Sequence, residues 1–357
     1  MAEIIERNRR SEQYLRAAMK SFRQSDDVSD SGTKMLVAHL SDIHGDWERL
    51  DSAIELFNYL KPDFAVHTGD TVKWSLDHGY GYFNDKLKDA SFPLYNCIGN
   101  HDTYDGREYK TNAYLHDAFV APLKNTDGKD GYYRTDFDKF GVRLIVLNNY
   151  DYFTDGALRK ELTFSNEQCK WLCDVLKDSA DRGYAVIIAS HETEEPVRAG
   201  ANDFGFCQRC EPHPWGTSPK APHIAADIVD AFKHAGSVHM DYEYTSNGQR
   251  VRVDVDFNKE GRFICYLSGH RHGDYIGYPD TYPDQLSICM TCSGCEPADY
   301  HNIGEEISDL PRVTGTVTED ALNLYVIDLE ENTLSVVRFG AYVNDLAEER
   351  LFAKFKF

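Results

Sequence analysis

The fold is set by residues 35–47, which read MLVAHLSDIHGDW. The apolar run Met35–Leu40 predicts a buried strand, and two metal-binding side chains, Asp42 and His44, follow where this strand ends. Apolar residues then recur at helical spacing over Asp46–Leu60, so that strand, polar loop and helix follow one another. This order is typical of α/β proteins, in which the loops past the carboxyl ends of strands carry ligands.

The same succession of apolar strand and polar motif recurs four more times along the chain. Strands are predicted at five further runs, Asp63–His67, Pro93–Ile98, Gly141–Asn148, Tyr184–Ser190 and Phe263–Ser268. All but the third lead into a short motif, and these are Gly69-Asp70, Gly99-Asn100-His101-Asp102, His191 and Gly269-His270-Arg271-His272. A capping box at Ser165–Gln168 predicts a helix, and the runs Leu322–Leu329 and Thr333–Gly340 predict a β-hairpin.

The motifs supply the ligand types of two divalent metal ions. The predicted ligands are two aspartates, one asparagine and four histidines, Asp42, His44, Asp70, Asn100, His191, His270 and His272. These donors suit Mn, Fe or Zn, and a pair of such ions that share a hydroxide hydrolyses phosphate esters. Asp70 stands alone in its motif and is the predicted bridging carboxylate.

Backbone conformation is expected to bring these side chains together. In each motif that pairs two ligands, the ligands are two residues apart and would point to the same side of an extended backbone. Glycines at positions 45, 69, 99 and 269 would let the chain turn sharply beside the ions.

Five of the nine cysteines also lie at spacings that structural zinc sites use. They form the motifs Cys207-x-x-Cys210 and Cys289-x-x-Cys292-x-x-Cys295. In the alternative interpretation Cys289 packs in a strand and the others are loop thiols. The long separation between the two motifs favours this alternative.

Composition restricts the partners of the protein. A chain of 357 residues with 41% hydrophobic residues can bury a large core, and its net charge of -21 argues against broad contact with nucleic acid or anionic membranes. No secretory signal or apolar run of membrane-spanning length is evident, so we expect a cytoplasmic protein with reduced cysteines. The oligomeric state cannot be read from the sequence.

Two units are expected along the chain. Residues 1–33 predict an N-terminal helical extension and a polar linker, packed on the domain or partly mobile, and residues 34–357 form the main domain. Insertions are expected at about 192–217 and 236–260, and alternating apolar residues in the second of these predict an added hairpin.

Taken in order, the motifs resemble those of the calcineurin-like metallophosphoesterase superfamily, whose signature is DxH, GD, GNH(D/E), a lone His and GHxH. The resemblance covers residues 36–273 and implies a four-layer α/β/β/α sandwich of two mixed sheets flanked by helices. After Gly69-Asp70 the chain reads TVKW. Ser/Thr protein phosphatases have an Asp-Arg pair there and purple acid phosphatases a tyrosine ligand, so neither subfamily is expected.

The resemblance also implies an assignment of roles. One metal would be held by Asp42, His44, Asp70 and His272, and the other by Asp70, Asn100, His191 and His270. A metal-bridging hydroxide would attack phosphorus in line, His101 would protonate or stabilise the leaving alkoxide, and Asp102 would orient His101. In the alternative, His101 only binds phosphate and Asp102 only caps a turn.

Three functions remain open at this point. The first is a metal-dependent phosphatase or phosphodiesterase that acts on a small phosphate mono- or diester. The second is a nuclease of the same superfamily, and the third is a non-catalytic metal-binding scaffold. Five aromatic residues near the motifs could stack on a leaving group, although chance accounts for them equally well, and these are Trp74, Tyr80, Tyr82, Tyr104 and Tyr133.

Overall fold

Two mixed β-sheets and flanking helices make up the part of the chain that the structure, a computed structural model, describes. The described residues are 3–20, 33–73, 79–104, 110–123, 126–151, 164–192, 223–243, 250–270, 272, 275–279, 281–290, 292–294, 313–341 and 352–357.

The first sheet combines parallel and antiparallel strands. Its six strands lie in the order Phe352–Lys356 (β15), Thr333–Gly340 (β14), Ala321–Asp328 (β13), Lys34–Leu40 (β1), Phe64–His67 (β2) and Leu94–Asn96 (β3). β1, β2 and β3 are parallel, whereas the other neighbours pair antiparallel. The antiparallel pair β13–β14 confirms the predicted C-terminal hairpin.

The second sheet has a parallel centre and antiparallel edges. Its seven strands lie in the order Tyr275–Gly277 (β11), Ser287–Cys289 (β12), Arg262–Ser268 (β10), Ala185–Ala189 (β7), Val142–Val146 (β6), Tyr132–Phe137 (β5) and Asp127–Lys129 (β4). β12, β10, β7 and β6 are parallel. Buried on both faces, the central strands read as continuous apolar runs, which is why the sequence revealed them.

Helices cover the outer faces of both sheets. The α-helices are Glu3–Arg7 (α1), Arg9–Lys20 (α2), Trp47–Leu60 (α3), Gly79–Lys86 (α4), Asn112–Phe119 (α5), Asn166–Arg182 (α6) and Ile224–Lys233 (α7), and 3-10 turns span Leu87–Asp89 and His101–Thr103. α1, α2 and α3 share an apolar cluster with the first sheet, and α6 and α7 share one with the second. A third cluster lies between the sheets. The predicted four-layer α/β/β/α sandwich is thereby confirmed.

The capping box is only half formed. Ser165 caps α6, because its side chain accepts the backbone N–H of Gln168. The side chain of Gln168 instead pairs with the backbone of Asn148, accepting its N–H at 2.8 Å and donating to its carbonyl at 2.9 Å. The N–H of Ser165 donates to Asp151 at 2.9 Å. Gln168 therefore fastens α6 to the end of β6.

An added hairpin, which forms a sheet of its own, packs against the helices that cover the second sheet, as the alternating pattern predicted. Its strands are Ser237–Glu243 (β8) and Arg250–Asp256 (β9), and the apolar face of β9 packs in the cluster of α6 and α7. Of the other predicted insertion, only Glu192 lies within the described residues.

The N-terminal helices pack against the first sheet. Ile4, Ile5 and Leu15 are buried in the cluster that α3 shares with β13 and β14. The guanidinium of Arg7 lies 3.0 Å from a carboxylate oxygen of Asp320. The division of the chain at residue 33 stays a prediction, and the predicted linker lies largely outside the described residues.

The cysteine motifs are described only in part. Cys289 lies buried in β12 and Cys292 is also buried, while Cys207, Cys210 and Cys295 lie outside the described residues. The burial of Cys289 in a strand agrees with the alternative interpretation, and the zinc interpretation stays untested. Within the described ranges, no helix has both the length and the apolar character needed to cross a membrane.

Candidate metal centre

The predicted ligands lie just past the carboxyl ends of parallel strands in both sheets. Asp42 follows β1, Asp70 follows β2, Asn100 follows β3, His191 follows β7 and His270 follows β10. Parallel pairing continues into these loops, since the N–H of Asp42 donates to the carbonyl of Gly69 at 2.9 Å. The N–H of Gly269 likewise donates to the carbonyl of His191 at 2.9 Å. The two sheets thus bring all the motifs to one edge of the sandwich.

A first group of ligand atoms, here the first cluster, comes from Asp42, His44, Asp70 and His272. The Nε2 atoms of His44 and His272 lie 3.1 Å apart, and His272 Nε2 lies 3.3 Å from Asp42 Oδ1. One ligand atom from each of the four residues lies within 4.8 Å of all the others. Such spacing leaves room for one cation among them.

A second group, the second cluster, comes from Asp70, Asn100, His191 and His270. His191 Nε2 lies 3.3 Å from Asp70 Oδ2 and 3.0 Å from Asn100 Oδ1. His270 Nδ1 lies 3.0 Å from the same Asn100 oxygen and 3.2 Å from His191 Nε2.

Asp70 belongs to both clusters through a single oxygen. Its Oδ2 lies 3.7 Å from His44 Nε2 in the first cluster and 3.3 Å from His191 Nε2 in the second. Its Oδ1 accepts the backbone N–H of His101 at 2.8 Å, which fixes the carboxylate plane. This arrangement is the one that a bridging carboxylate requires.

The backbone at the ligands differs from the extended conformation that we predicted. Five of the predicted ligand residues have positive φ, and these are Asp42 at 50°, His44 at 51°, Asp70 at 55°, His270 at 68° and His272 at 52°. The left-handed conformation costs an L-residue roughly 1–2 kcal/mol. Strained residues of this kind cluster at functional sites, where the surrounding structure holds them. Left-handed turns, rather than alternation along a strand, therefore aim these side chains.

At two of the predicted positions, close approach alone requires glycine. A Cβ at Gly99 would overlap the backbone nitrogen and the carboxylate of Asp70, and a Cβ at Gly269 would overlap the side chain of Ser41 and crowd that of Asp42. The absence of a side chain therefore lets neighbouring loops come together, which is a different reason from the sharp turn that we predicted.

His191 is oriented by the backbone of the neighbouring loop. Its Nδ1 lies 2.7 Å from the carbonyl of Thr68, so Nδ1 carries a proton and Nε2 points at the second cluster. Burial would lower the pKa of His191, but the carboxylates of Asp70 and Asp42 outweigh it and raise the pKa to about 10. The carboxylates thus stabilise a proton on His191 Nε2, at the position where a metal cation would displace that proton.

The other site histidines with shifted pKa values favour the neutral form. Burial lowers the pKa of His44 to about 3, against the opposing effect of Asp70 and Asp42. Burial likewise lowers the pKa of His270 to about 4. Burial opposes ionisation of Asp70, yet His191 and His101 hold its pKa well below the usual range. Neutral imidazoles beside ionised carboxylates are the protonation states that metal ligands need.

The predicted catalytic pair is arranged differently from expectation. The His101 ring packs edge-on against His44 with the ring centroids 4.7 Å apart, and its Nδ1 lies 2.5 Å from the carbonyl of Lys73. Asp102 does not orient this ring through its carboxylate, because both of its oxygens accept backbone N–H groups of Asp70, Thr71, Val72 and Gly99. The prediction that Asp102 orients His101 was wrong, and the orienting acceptor is a backbone carbonyl.

A buried hydrogen-bond chain that motif reasoning missed ends on Asp42. Tyr325 OH lies 2.7 Å from His39 Nδ1, His39 Nε2 lies 2.9 Å from Thr68 Oγ1, and Thr68 donates to Ser41 at 2.7 Å. Ser41 then donates to Asp42 Oδ2 at 2.5 Å. Burial lowers the pKa of His39 to about 3, so its ring is neutral. One ring nitrogen therefore donates while the other accepts, and the hydrogen bonds of the chain all point toward Asp42. The polar residues in the otherwise apolar β1 and in β13 were the available signal.

Two of the five aromatic residues near the motifs are structural. Tyr80 and Tyr133 are buried in the core between the sheets, Tyr104 is half-buried, and Trp74 lies outside the described residues. Tyr82 is exposed and packs against Trp47 with ring centroids 4.7 Å apart. Tyr80 and Tyr133 are therefore not available to stack on a leaving group.

The family follows from a match over most of the sandwich. A family model described as calcineurin-like phosphoesterase matches residues 35–274, and the chain belongs to this family. In fold, it is similar to a dimetal phosphatase from Danio rerio, with a TM-score of 0.57 and 13% identity over 90% of this chain and 98% of that one.

Two curated relatives share part of the sequence. The human acid sphingomyelinase-like phosphodiesterase 3b is 25% identical over 41% of this chain and 37% of its own length. The sphingomyelinase phosphodiesterase C of Dictyostelium discoideum is 27% identical over 40% of this chain and 38% of its own. The matched region thus spans less than two-fifths of either relative.

Proposed function

We propose that this protein is a dinuclear-metal phosphoesterase that hydrolyses a phosphate mono- or diester of a small molecule. The observation that carries the proposal is the position of Asp70 Oδ2, which faces His44 in the first cluster and His191 in the second. The first metal ion would be held by Asp42, His44, Asp70 and His272, and the second by Asp70, Asn100, His191 and His270.

The residues present fit a pair of divalent ions. In the second cluster, the lone pairs of Asp70 Oδ2 and Asn100 Oδ1 converge on His191 Nε2 at 3.0–3.3 Å. Such lone pairs repel one another unless a cation or proton lies between them. The donor types match Mn, Fe or Zn, with no preference among these.

Two divalent ions, when bound, supply a nucleophile from water near neutral pH and stabilise charge on the phosphoryl oxygens. The side chains of the protein would position the metal ions and the ester for that reaction. Asp42 and Asp70 leave the site with a net positive charge when two divalent ions are present, which favours an anionic ester. The tight packing of His101 against His44 places its imidazole at the edge of the first cluster.

His101 is the proposed general acid. Because its Nδ1 donates to the carbonyl of Lys73, the proton for a leaving alkoxide would be held on Nε2. General-acid catalysis of this kind contributes about 10²–10⁴-fold to a rate. Asp102 is proposed as a positioning residue, which acts through the backbone of the loop that carries Asp70.

A small ester is supported by the charge of the chain. The net charge of -21 disfavours a polyanionic substrate. The relatives' names include both a dimetal phosphatase and phosphodiesterases. Monoesters and diesters must therefore both be tried.

The test compares p-nitrophenyl phosphate with bis(p-nitrophenyl) phosphate, using the Mn²⁺-loaded full chain. Wild-type protein should hydrolyse at least one of them, and D70N should lose at least about 10³-fold, because the shared ligand is gone. The matched control is D117N, the same substitution at an exposed position, which should keep full activity. Full activity in D70N would refute the bridging role, and inactivity of Mn²⁺-loaded wild type on both esters would argue against this substrate class.

A further inference from the structure

Glu192 is a buried carboxylate beside the second cluster for which the motifs provide no role. It follows His191 directly, and its side chain is only 10% exposed. Its Oε2 lies 3.6 Å from Nε2 of His270, on the side of that ring opposite the cluster. A carboxylate at this position faces His270, the histidine that directs Nδ1 rather than Nε2 into the second cluster.

The backbone of Glu192 is held firmly by buried polar groups. Its N–H donates to Asn149 Oδ1 at 3.0 Å, and its carbonyl accepts from Asn149 Nδ2 at 3.3 Å. Ser190 Oγ donates to the same carbonyl at 2.6 Å. Both Asn149 and Ser190 are fully buried. These bonds fix where the side chain of Glu192 starts.

The carboxylate itself is fixed by Tyr150. The Tyr150 hydroxyl donates to Glu192 Oε1, and Tyr150 is buried at 3% exposure. One oxygen is therefore engaged, while the other faces His270 Nε2. At an ion-pair distance of 3.6 Å, Glu192 lies behind His270 as carboxylates lie behind histidine ligands of metal ions.

The tautomer of His270 decides whether it can bind a metal ion. Its Nδ1 faces Asn100 Oδ1 at 3.0 Å and His191 Nε2 at 3.2 Å. A neutral imidazole has one proton, and the nitrogen that carries it has no lone pair to donate. A carboxylate beside Nε2 draws the proton there and leaves the lone pair of Nδ1 directed at the cluster.

We propose that Glu192, held by Tyr150, is a positioning residue that fixes His270 in the Nε2-protonated tautomer and so sets the affinity of the second cluster for its divalent ion. This inference rests on the proposed function, since it concerns the second of the two metal ions. Glu192 does not contact the substrate in this proposal, because its carboxylate would repel an anionic ester.

The test is a calorimetric titration of the metal-free full chain with Mn²⁺. Wild-type protein should bind two ions. In E192Q the amide can donate to Nε2 and favour the wrong tautomer, so one ion should bind about 10–100-fold more weakly while the other keeps its affinity. Y150F keeps the charge of Glu192 but frees its rotamer, so it should weaken the same ion by a smaller factor. E260Q, at an exposed glutamate, is the matched control and should match wild type.

The outcomes separate this inference from the proposed function. Two ions bound by E192Q with wild-type affinities would overturn the role of Glu192 and leave the dinuclear site standing. Equal weakening of both ions in E192Q and Y150F would also overturn it, since that pattern indicates a general loss of structure. Wild-type protein that binds no Mn²⁺ would overturn both proposals. If E192Q does not fold, the Y150F titration alone decides, with unchanged affinities contradicting the proposal.

Discussion

The carboxylate of Asp102 holds the loop that carries Asp70 through the backbone N–H of Asp70 itself, which donates to Asp102 Oδ2 at 3.0 Å. The same oxygen accepts the N–H of Gly99 at 2.8 Å, and Oδ1 accepts those of Thr71 and Val72 at 2.9 and 3.2 Å. Two loops from neighbouring strands, one with Asp70 and one with Asn100, are thereby joined beneath the candidate metal centre.

Replacing Asp102 by asparagine should loosen both loops. The amide nitrogen that replaces one carboxylate oxygen cannot accept, so two of the four buried N–H groups lose their partner, and the free energy of unfolding should fall by about 2–4 kcal/mol. Urea denaturation of the metal-free protein measures this loss, and a Mn²⁺ titration should show weaker binding. Wild-type stability in D102N would contradict the assigned role. D117N is again the control.

Adding one methyl group at Gly99 should be costly, whereas the same change at Gly81 should not. A Cβ at Gly99 would overlap Asp70, but a Cβ at Gly81 in α4 would meet nothing within 4 Å. G99A should lose at least about 2 kcal/mol and its Mn²⁺ affinity. G81A should gain roughly 0.5–1 kcal/mol, because alanine favours the helix. Denaturation curves that show equal effects at the two positions would refute the close approach.

Stability should depend on pH through a buried ion pair far from the metal centre. Arg143 is fully buried, and its Nε and Nη2 lie 2.6 and 2.8 Å from the two oxygens of Asp136. Burial alone would raise the pKa of Asp136, but the charge and hydrogen bonds of Arg143 outweigh it and lower the pKa. A depressed folded pKa means that the stabilisation is complete above the unfolded value of about 3.9 and is lost as pH falls through the folded value.

At pH 7, D136N should therefore lower the free energy of unfolding by about 2–3 kcal/mol. The loss is limited because Asp178 still faces Arg143 at 2.7 Å. The difference from wild type should narrow as the pH falls below about 4. Chemical denaturation at several pH values measures both. D127N, which removes a partner of the more exposed Arg134, should change little. A difference that stays constant down to pH 2 would contradict the ion-pair account.

Removal of residues 1–33 should uncover the first sheet. Ile4, Ile5 and Leu15 bury apolar surface there, Arg7 pairs with Asp320, and the N–H of Gly340 donates to Asn8 Oδ1 at 2.7 Å. Loss of three buried apolar side chains corresponds to about 4–9 kcal/mol. Thermal unfolding and binding of a hydrophobic dye measure the effect. An unchanged melting temperature would show that the helices contribute nothing to the fold.

The strands and the candidate ligand residues could be located in the sequence because their signals are local. An apolar run followed by a polar motif reports both a buried strand and its carboxyl end, and this holds for β1 with Asp42 as well as for β10 with His270. Parallel pairing then brings those ends together. The helix α3 was equally evident, because its apolar residues recur at helical spacing within one segment.

What the sequence did not reveal depends on contacts between distant segments. The left-handed backbone at Asp42 and His44 is set by loops that meet only in the fold. Gln168 turned to the backbone of Asn148 rather than to its own helix. The partner of His101 is the carbonyl of Lys73, and a backbone group leaves no mark in the sequence.

The most direct test of the dinuclear account is an anomalous difference map from crystals of the full chain soaked with Mn²⁺. The account predicts two peaks about 3.5–4 Å apart, both in contact with the carboxylate of Asp70. One peak should be surrounded by Asp42, His44 and His272, and the other by Asn100, His191 and His270. A single peak, or two peaks that do not share Asp70, would contradict it.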